Sequence, residues 1–372
     1  MMKVFLFCAF FGSVAATASA VVTLAPLATF GGGDGWLAPA DNAGDSVTAG
    51  TTERGLAYNP VTGHLLMTSR ASGNQVRILD SATGADLGGL TVPAGTVTGG
   101  TFAINQVRVA GDGAIYVANL ASPLNTTVPF KIYRWANEAA ATNPTVAFNL
   151  LPAAAGARVG DNFNIRGSGV NTRFVAGEST ATGSAGAQNG YMIFTTTDGA
   201  NFTSSTITFG TPPAVGDFNR GTAFLGSDTA VVGKGSPGTA RVTSFSGSTG
   251  SLGGSPSIAG FMMDYATVGG VPLLATLDIS SAAGTNTVRV YDMTDPLNPS
   301  LEATMNLTTS FTSSAGSVGS VTWGEINGNT ANLYALNVSN GIQAFTVTVP
   351  EPASGMLAFL GLLALARHRR RR

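Results

Sequence analysis

Cysteine, histidine and charged residues are scarce in this chain of 372 residues. It holds one cysteine and two histidines, and 10% of its residues are charged. Cys8 lies near the N-terminus and His368 near the C-terminus. Without thiols, the central region can form no disulfide, use no cysteine nucleophile and build no cysteine-containing zinc site. His64 alone could act there as a general base, but the turn at residues 59–63 favours a surface or hairpin role.

The central region also lacks a surplus of basic residues. The chain has 19 Lys and Arg against 20 Asp and Glu, and several of its arginines lie at the extreme C-terminus. Residues 21–349 are therefore mildly acidic, so we expect no nucleic-acid partner, because phosphate binding needs a cationic surface. Glycine is abundant, with 49 residues, but it does not recur at every third position as in collagen. The remaining composition is that of a Gly/Ser/Thr-rich, mostly β protein.

The N-terminus has the organisation of a secretory signal peptide. Lys3 is followed by an apolar run at residues 4–14 and by Ala18, Ser19 and Ala20. The apolar run is about half of the ~20 residues that a membrane-spanning helix needs. We therefore predict a cleavable signal at residues 1–20, with cleavage after Ala20. The alternative is a buried N-terminal helix.

The C-terminus combines three features in order. Two prolines flank Glu351 and end any preceding strand or helix, residues 353–366 are uncharged, and an arginine-rich run follows. As a helix, the uncharged stretch would span roughly 21 Å, which is short of a ~30 Å hydrocarbon core. It could still insert if the arginines reached the lipid headgroups. The positive-inside rule then places the arginines in the cytoplasm and the preceding domain outside the inner membrane.

This C-terminus resembles the PEP-CTERM sorting signal of Gram-negative bacteria. The matching residues, besides the hydrophobic stretch, are Pro350, Glu351, Pro352, Arg367, Arg369, Arg370, Arg371 and Arg372. The resemblance implies export by the secretion machinery, transient anchoring in the inner membrane and cleavage near Pro-Glu-Pro by an exosortase. It also implies a final location in the cell envelope or extracellular matrix, because family members are associated with exopolysaccharide and biofilm matrix. A plain C-terminal membrane anchor is the alternative.

Between the termini, the sequence repeats a pattern of four short strands joined by glycine-containing turns. Comparable units begin near Arg54, Asn105, Asn162, Phe218, Phe261 and Ser320. This spacing predicts an all-β fold, a β-propeller of about six four-stranded blades. A pair of β-sandwiches or a β-helix would share the alternating strands and glycine turns, and both stay open at this point.

The last unit lacks a fourth strand. We predict that residues 21–30 supply it and close the ring. The predicted organisation is then a signal peptide at 1–20, a propeller-like domain at 21–349, and a sorting signal with a short hydrophobic helix at 350–372.

Motifs for cofactors and metals are weak. Residues 233–238 match G-x-G-x-x-G, but a strand follows instead of the helix that a dinucleotide site needs, so we predict a hairpin turn. Asp-Gly and Gly-Asp pairs could offer oxygen ligands to calcium, but they lack the EF-hand series and are typical of hairpin turns. No G-x-S-x-G motif accompanies the lone His64. We expect no cofactor, no metal and no Ser-His-Asp hydrolase site.

The polar residues of the predicted innermost strands are the candidate site, because in a propeller these strands line the central channel. They are Arg54, Arg108, Asn164, Arg166, Asn219, Arg220, Asp264 and Glu325. Guanidinium and carboxylate groups on one ring could bind an anionic or hydroxyl-rich ligand through bidentate hydrogen bonds, and the hypothesis is a polyanionic sugar site. Alternatively, these residues pair between blades and hold the ring together.

Three functions are compatible with this pattern. We favour an exported, non-enzymatic protein that acts by adhesion or by binding polysaccharide or an envelope protein. A carbohydrate-active enzyme, a glycosidase or lyase, is the alternative, with Asp264 and Glu325 as an acid/base pair if their separation is about 5 to 9.5 Å. A protein without any ligand is the third.

Overall fold

The computed structural model describes most of the chain between the two predicted sorting segments. The described residues are 21–41, 47–125, 127–150, 156–180, 189–214, 216–235, 238–279, 286–307 and 318–351. The predicted signal peptide, Pro352, the hydrophobic stretch and the terminal arginines lie outside these residues.

Strands dominate the described residues, and helical structure is confined to short 3-10 turns. These turns are Phe30–Gly32, Pro39–Asp41 and Gly169–Asn171. Within the described part of the chain, no helix has the length and apolarity needed to cross a membrane.

The strands form six small sheets, which we number as blades 1–6 along the chain. The N-terminal strands β1 (Thr23–Pro26) and β2 (Trp36–Leu37) belong to blade 6. Blade 1 contains β3 (Leu56–Tyr58), β4 (His64–Ser69), β5 (Gln75–Asp80) and β6 (Asp86–Gly89). Blade 2 contains β7 (Phe102–Val109), β8 (Ile115–Leu120), β9 (Phe130–Trp135) and β10 (Thr145–Leu150). Blade 3 contains β11 (Ala157–Val159), β12 (Asn164–Arg166), β13 (Arg173–Thr180), β14 (Tyr191–Thr196) and β15 (Phe202–Thr206).

The remaining blades follow the same plan. Blade 4 contains β16 (Thr208–Phe209), β17 (Gly221–Phe224), β18 (Ala230–Lys234), β19 (Arg241–Ser246) and β20 (Thr249–Leu252). Blade 5 contains β21 (Met262–Val268), β22 (Val271–Ile279), β23 (Asn286–Asp292) and β24 (Ser300–Met305). Blade 6 contains β25 (Gly319–Asn327), β26 (Thr330–Asn337) and β27 (Gly341–Thr348) in addition to the two N-terminal strands.

The innermost strands close a ring. They are β3, β7, β12, β17, β21 and β25; each contacts the innermost strand of the next blade, and β25 contacts β3. The six units predicted from the sequence begin within a few residues of these strands, so the six-bladed propeller is confirmed. We call the face of the ring at which these strands begin the upper face, and the face at which they end the lower face.

The N-terminal strand closes blade 6, as predicted. β1 pairs antiparallel with β27, from Thr23 opposite Thr348 to Pro26 opposite Phe345. The first and last parts of the propeller therefore share one sheet.

The blades depart from the predicted four strands in blades 3, 4 and 6, where short strands are added. In blade 3, the segment that leads to the channel is divided into β11 and β12. Gly160, between them, has a φ of 104°, a conformation that glycine adopts readily and that interrupts an extended strand.

Six clusters of buried apolar residues form the core, one at each blade interface. Blades 2 and 3, for example, share a cluster that contains Phe130, Phe174 and Phe194. Because each blade is covered on both faces, its central strands are largely apolar, and all residues of β8 are buried, the polar Asn119 included. The core therefore follows the interfaces around the ring and leaves the axis to polar side chains.

Candidate functional site

Arg108 crosses the channel and joins three blades. It lies on β7, and its Nη1 donates to the carbonyl oxygen of Leu56 at 2.9 Å and to Ser320 Oγ at 3.0 Å. The Ser320 hydroxyl also lies 3.1 Å from the same Leu56 oxygen, to which it donates. Blades 2, 1 and 6 are thereby linked at the axis.

Asp264 on β21 makes the corresponding links on the opposite side of the channel. Its Oδ1 accepts hydrogen bonds from Asn164 Nδ2 at 3.2 Å and from the Tyr265 amide at 3.1 Å. Its Oδ2 accepts from the Trp323 amide at 3.0 Å, and the Trp323 indole N–H donates to the Asp264 carbonyl oxygen at 3.1 Å. Blades 3, 5 and 6 are joined in this way.

The charges of Arg108 and Asp264 partly offset the effect of burial on each other's pKa. Burial raises the pKa of Asp264, while the Arg108 guanidinium and the three hydrogen bonds act in the opposite direction. Burial likewise lowers the pKa of Arg108, and Asp264 opposes that shift. Arg108 keeps its charge at neutral pH, because the ordinary pKa of a guanidinium lies far above 7.

A cavity of about 500 Å³ opens at the lower end of the channel. Its wall carries side chains of several blades, among them Tyr58, Arg108, Asp264, Tyr265, Trp323 and Glu325. Burial, with a smaller contribution from the Glu325 carboxylate, raises the pKa of Tyr58. We call this space the lower cavity; its volume suits a small organic ligand, since such pockets usually measure about 300–1,000 Å³.

Arg108 separates the lower cavity from a much smaller one. It also lines a space of about 10 Å³ further up the channel, together with Gln106, Asp161 and Arg220. The channel is therefore nearly closed at the level of Arg108.

The eight predicted site residues are divided among three places. Arg108, Asp264 and Glu325 line the lower cavity, and Asn164 contacts it through Asp264. Toward the upper face, Arg54 interacts electrostatically with Asp161 and with Arg220. Asn219 lies next to Arg220 and against Gly235. These residues do not converge on one ring.

Arg166 turns away from the axis to a neighbouring blade. Its Nε lies 2.8 Å from Asp228 Oδ1, in the turn between β17 and β18. Arg173 Nε lies 3.3 Å from the other oxygen of the same carboxylate. This interaction links blades 3 and 4.

The aromatic residues of the lower cavity were not among the predicted site residues. Tyr58, Tyr265 and Trp323 belong to innermost strands, as the polar candidates do. The signal in the sequence is their position on these strands: Tyr265 and Trp323 lie at the midpoint of β21 and β25, and Tyr58 ends β3. Charged and amide side chains alone do not include these aromatic residues.

His64 lies at a blade interface outside the lower cavity. Its Nδ1 is 2.7 Å from Glu138 Oε2, and Glu138 also accepts hydrogen bonds from Asn59 and Thr62 at 2.5 and 2.6 Å. The glycine-rich residues 233–235 end β18, and β19 follows as its antiparallel partner. Neither feature contributes to the channel.

The aspartates of two Gly-Asp pairs, Asp161 and Asp217, form ion pairs with arginines. Asp161 accepts a hydrogen bond from Arg158 Nη2 at 2.7 Å, and Asp217 accepts one from Arg241 Nε at 2.8 Å. Among the residues that the structure describes, no group of three or more His, Cys, Asp or Glu side chains is placed to hold a metal ion.

The described chain ends at the lower face. The Val349 amide donates to the carbonyl oxygen of Asn329 at 2.8 Å, and Asn329 lies in the turn between β25 and β26. Residues 348–371, which begin here, match the family model of the PEP-CTERM protein-sorting motif.

The chain carries a PEP-CTERM sorting motif. The resemblance found in the sequence is thereby confirmed. The motif implies export, processing by an exosortase and association with the cell envelope.

Solved structures resemble this chain in fold. A DUF4623 family protein from Bacteroides eggerthii has a TM-score of 0.60 and 18% identity, covering 82% of this chain and 72% of its own. A gluconolactonase from Xanthomonas campestris has a TM-score of 0.49 and 10% identity, covering 90% and 93%. The calcium-binding protein regucalcin from Agrobacterium tumefaciens has a TM-score of 0.48 and 13% identity, covering 81% and 92%. No curated protein sequence matches this chain significantly.

Proposed function

We propose that this PEP-CTERM protein is a non-enzymatic carbohydrate-binding propeller of the cell envelope or extracellular matrix, with the lower cavity as its binding site. The observation that carries the proposal is the composition of the cavity wall. Tyr58, Tyr265 and Trp323, from three blades, line the same space as Asp264 and Glu325. Aromatic rings offer apolar faces to the C–H groups of a sugar, and carboxylates accept hydrogen bonds from its hydroxyl groups.

A neutral, hydroxyl-rich sugar suits the cavity better than a polyanion. Two carboxylates, Asp264 and Glu325, face one guanidinium, and Arg108 already donates to Leu56 and Ser320. A polyanionic ligand would meet like charge there without a free cationic partner. The volume of about 500 Å³ admits one or two sugar units of a longer chain.

The position of the sorting motif determines which face of the propeller an anchored form would turn to the membrane. Because Val349 is bonded to Asn329 on the lower face, the sorting tail leaves the propeller on the side that carries the lower cavity. A form anchored through the tail would turn this cavity toward the membrane. Cleavage by the exosortase would then free it for binding.

Glycan-array binding by the exported protein tests the proposed site. Glu325→Gln keeps the shape of an exposed side chain and removes its charge, and Tyr265→Leu removes one ring. We expect each variant to bind roughly tenfold more weakly than the wild type, in keeping with the loss of one charged hydrogen bond or one aromatic contact. Glu302→Gln, on the outer strand β24, is the matched control and should bind normally. Equal binding by all four proteins would contradict the proposal.

Glycoside cleavage is a second candidate, because Asp264 and Glu325 line the same cavity. Against it, three N–H groups already donate to the Asp264 carboxylate. A catalytic pair would lose turnover in Glu325→Gln while binding persisted. Incubation of array-positive glycans with the wild-type protein, followed by analysis of chain length, distinguishes the two: unchanged chain length supports binding alone.

We further propose that residues 1–20 are a cleaved signal peptide and residues 21–349 the exported domain. Mass spectrometry of the exported protein tests both ends. We expect a mature N-terminus at Val21 and the absence of Arg372, whereas Glu351→Ala should retain Arg372 and Glu302→Ala should not. An intact Arg372 in the wild-type exported protein would overturn processing of the tail.

A further inference from the structure

Two arginines on the upper face stack on one aromatic ring. The Arg54 guanidinium lies 4.6 Å from the centroid of Phe102, and the Arg70 guanidinium lies 3.9 Å from it. Arg54 comes just before β3, Arg70 directly follows β4, and Phe102 begins β7. Two like charges are thus held beside each other where blades 1 and 2 meet.

These guanidinium groups have unused hydrogen-bond donors. Arg54 is only 8% exposed, and its Nε is buried without a hydrogen-bond partner among the described residues. Arg70 donates from Nη2 to the Thr51 carbonyl oxygen at 3.1 Å, while its buried Nη1 has no partner in the same part of the chain. Buried charged groups are normally paired, because an unpaired one loses its hydration without compensation.

The nearest carboxylates are already engaged elsewhere. Glu53 is buried and accepts hydrogen bonds from the hydroxyl groups of Thr48, Thr52 and Ser69. Asp161 accepts from Arg158. Within the described residues, neither carboxylate forms an ion pair with Arg54 or Arg70.

The surrounding charges leave the site electropositive. Burial, and next the neighbouring Arg70, lower the pKa of Arg54 to about 10, with smaller contributions of the same sign from Arg158 and Arg220. Asp161 opposes them, and the Glu53 carboxylate likewise opposes the effect of burial on the pKa of Arg70. At neutral pH Arg54 stays protonated, so the site carries positive charge that the protein only partly compensates.

The channel beneath gives no room for a bulky ligand. Gln106 Nε2 donates to the Arg54 carbonyl oxygen at 3.4 Å and to that of Asp161 at 3.2 Å, so its amide links blades 1 and 3 below the site. The space there measures about 10 Å³. A ligand must approach from the solvent side and insert only a small group.

We infer that Arg54 and Arg70 form a binding site for an oxyanion, the carboxylate, phosphate or sulfate group of a ligand that approaches the upper face. Each guanidinium presents planar N–H donors that match two oxygens of such a group. An oxyanion would accept hydrogen bonds from both guanidinium groups and neutralise the paired like charges. This site is separate from the lower cavity and does not depend on the proposed carbohydrate binding there.

Calorimetric titration of the exported protein tests the inference. Sodium sulfate, inorganic phosphate and sodium glucuronate are titrated at constant ionic strength, with chloride as the background anion. We expect saturable binding of at least one of the three, and at least a roughly tenfold loss in Arg70→Gln and in Arg54→Met, which retains an apolar side chain over Phe102. Arg289→Gln removes a guanidinium that pairs with Asp278 at 3.0 Å on blade 5, and it should bind as the wild type does.

The anions that bind identify the chemical group that the site recognises, and the variants test whether Arg54 and Arg70 form the site. Binding of glucuronate alone indicates the carboxylate of an acidic sugar, and binding of sulfate and phosphate as well indicates a general oxyanion site. Failure of all three to bind, or equal binding by the wild type, Arg54→Met and Arg70→Gln, overturns the inference.

Discussion

Asn164 and Asp264 are hydrogen-bonded across the channel although their blades are not neighbours. Asn164 Nδ2 lies 3.2 Å from Asp264 Oδ1, and blade 4 stands between blades 3 and 5. The innermost strand of blade 4, which lies between them, begins with the small residues Gly221, Thr222 and Ala223. One amide thus positions a carboxylate that faces the lower cavity.

Replacing Asn164 by Ala should destabilise the propeller. The change removes a hydrogen bond to a largely desolvated carboxylate, and we expect a loss of about 2 kcal/mol in the free energy of unfolding. Urea unfolding followed by tryptophan fluorescence measures it. Asn149→Ala, at an exposed position of β10, is the control and should change stability by less than about 0.5 kcal/mol. Similar small effects for both variants would show that the bond does not stabilise the ring.

Gly177→Ala should disrupt the interface between blades 3 and 4. A Cβ atom at Gly177 would overlap the carbonyl oxygen of Phe218, a backbone atom that cannot rotate away. We expect a destabilisation of about 3 kcal/mol by the crowding of a packed interface. Gly210→Ala is the matched control, because a Cβ there would meet no atom within 4 Å. The melting temperatures of both variants, each compared with that of the wild type, measure the effect. A wild-type melting temperature in Gly177→Ala would contradict the close packing of these blades.

Glu178 should make the stability of the protein depend on pH. Burial raises the pKa of Glu178 to about 7 from an ordinary value of 4.5. The folded state therefore binds this proton more tightly than the unfolded state. The contribution of Glu178 to stability is therefore largest below about pH 4.5, and it decreases by roughly 3 kcal/mol as the pH rises through 7.

Glu178→Gln should remove that part of the pH dependence. Urea unfolding of wild type and variant at several pH values between 4.5 and 8 gives the difference directly. We expect the variant to gain stability relative to the wild type as pH rises, whereas Glu302→Gln should not. Parallel pH profiles for wild type and Glu178→Gln would rule out the raised pKa.

A disulfide between β1 and β27 should stabilise the closed ring. Ala25 and Thr346 are direct cross-strand partners, a separation that suits a disulfide, and the chain's single cysteine lies at position 8. Oxidised Ala25→Cys/Thr346→Cys should be more stable than its reduced form by about 4 kcal/mol, because the link closes a long loop in the unfolded chain. The reduced protein is the internal control. Failure of the two cysteines to form the bond in folded protein would contradict the observed register.

The blade pattern was predictable from the sequence because it depends on local features. Each blade is a series of short strands with turns between neighbours, and glycine marks many of those turns. Residues 21–30 were identified as the missing strand because the last unit was one strand short. The added strands β11 and β16 were not predictable, since pairing of such short segments depends on neighbouring strands and not on their own sequence.

The sorting motif is determined by the sequence alone, because its recognition depends on Pro-Glu-Pro, an apolar stretch and arginines in order along the chain. The division of the channel residues was decided only by tertiary structure. Arg108, Asp264 and Glu325 meet at the lower cavity, Arg54 lies toward the upper face, and Arg166 turns to Asp228 on the next blade. Side chains alternate between the two sides of a strand, and each innermost strand runs from one face of the ring to the other. The height and direction of each side chain therefore depend on how distant blades pack around the axis.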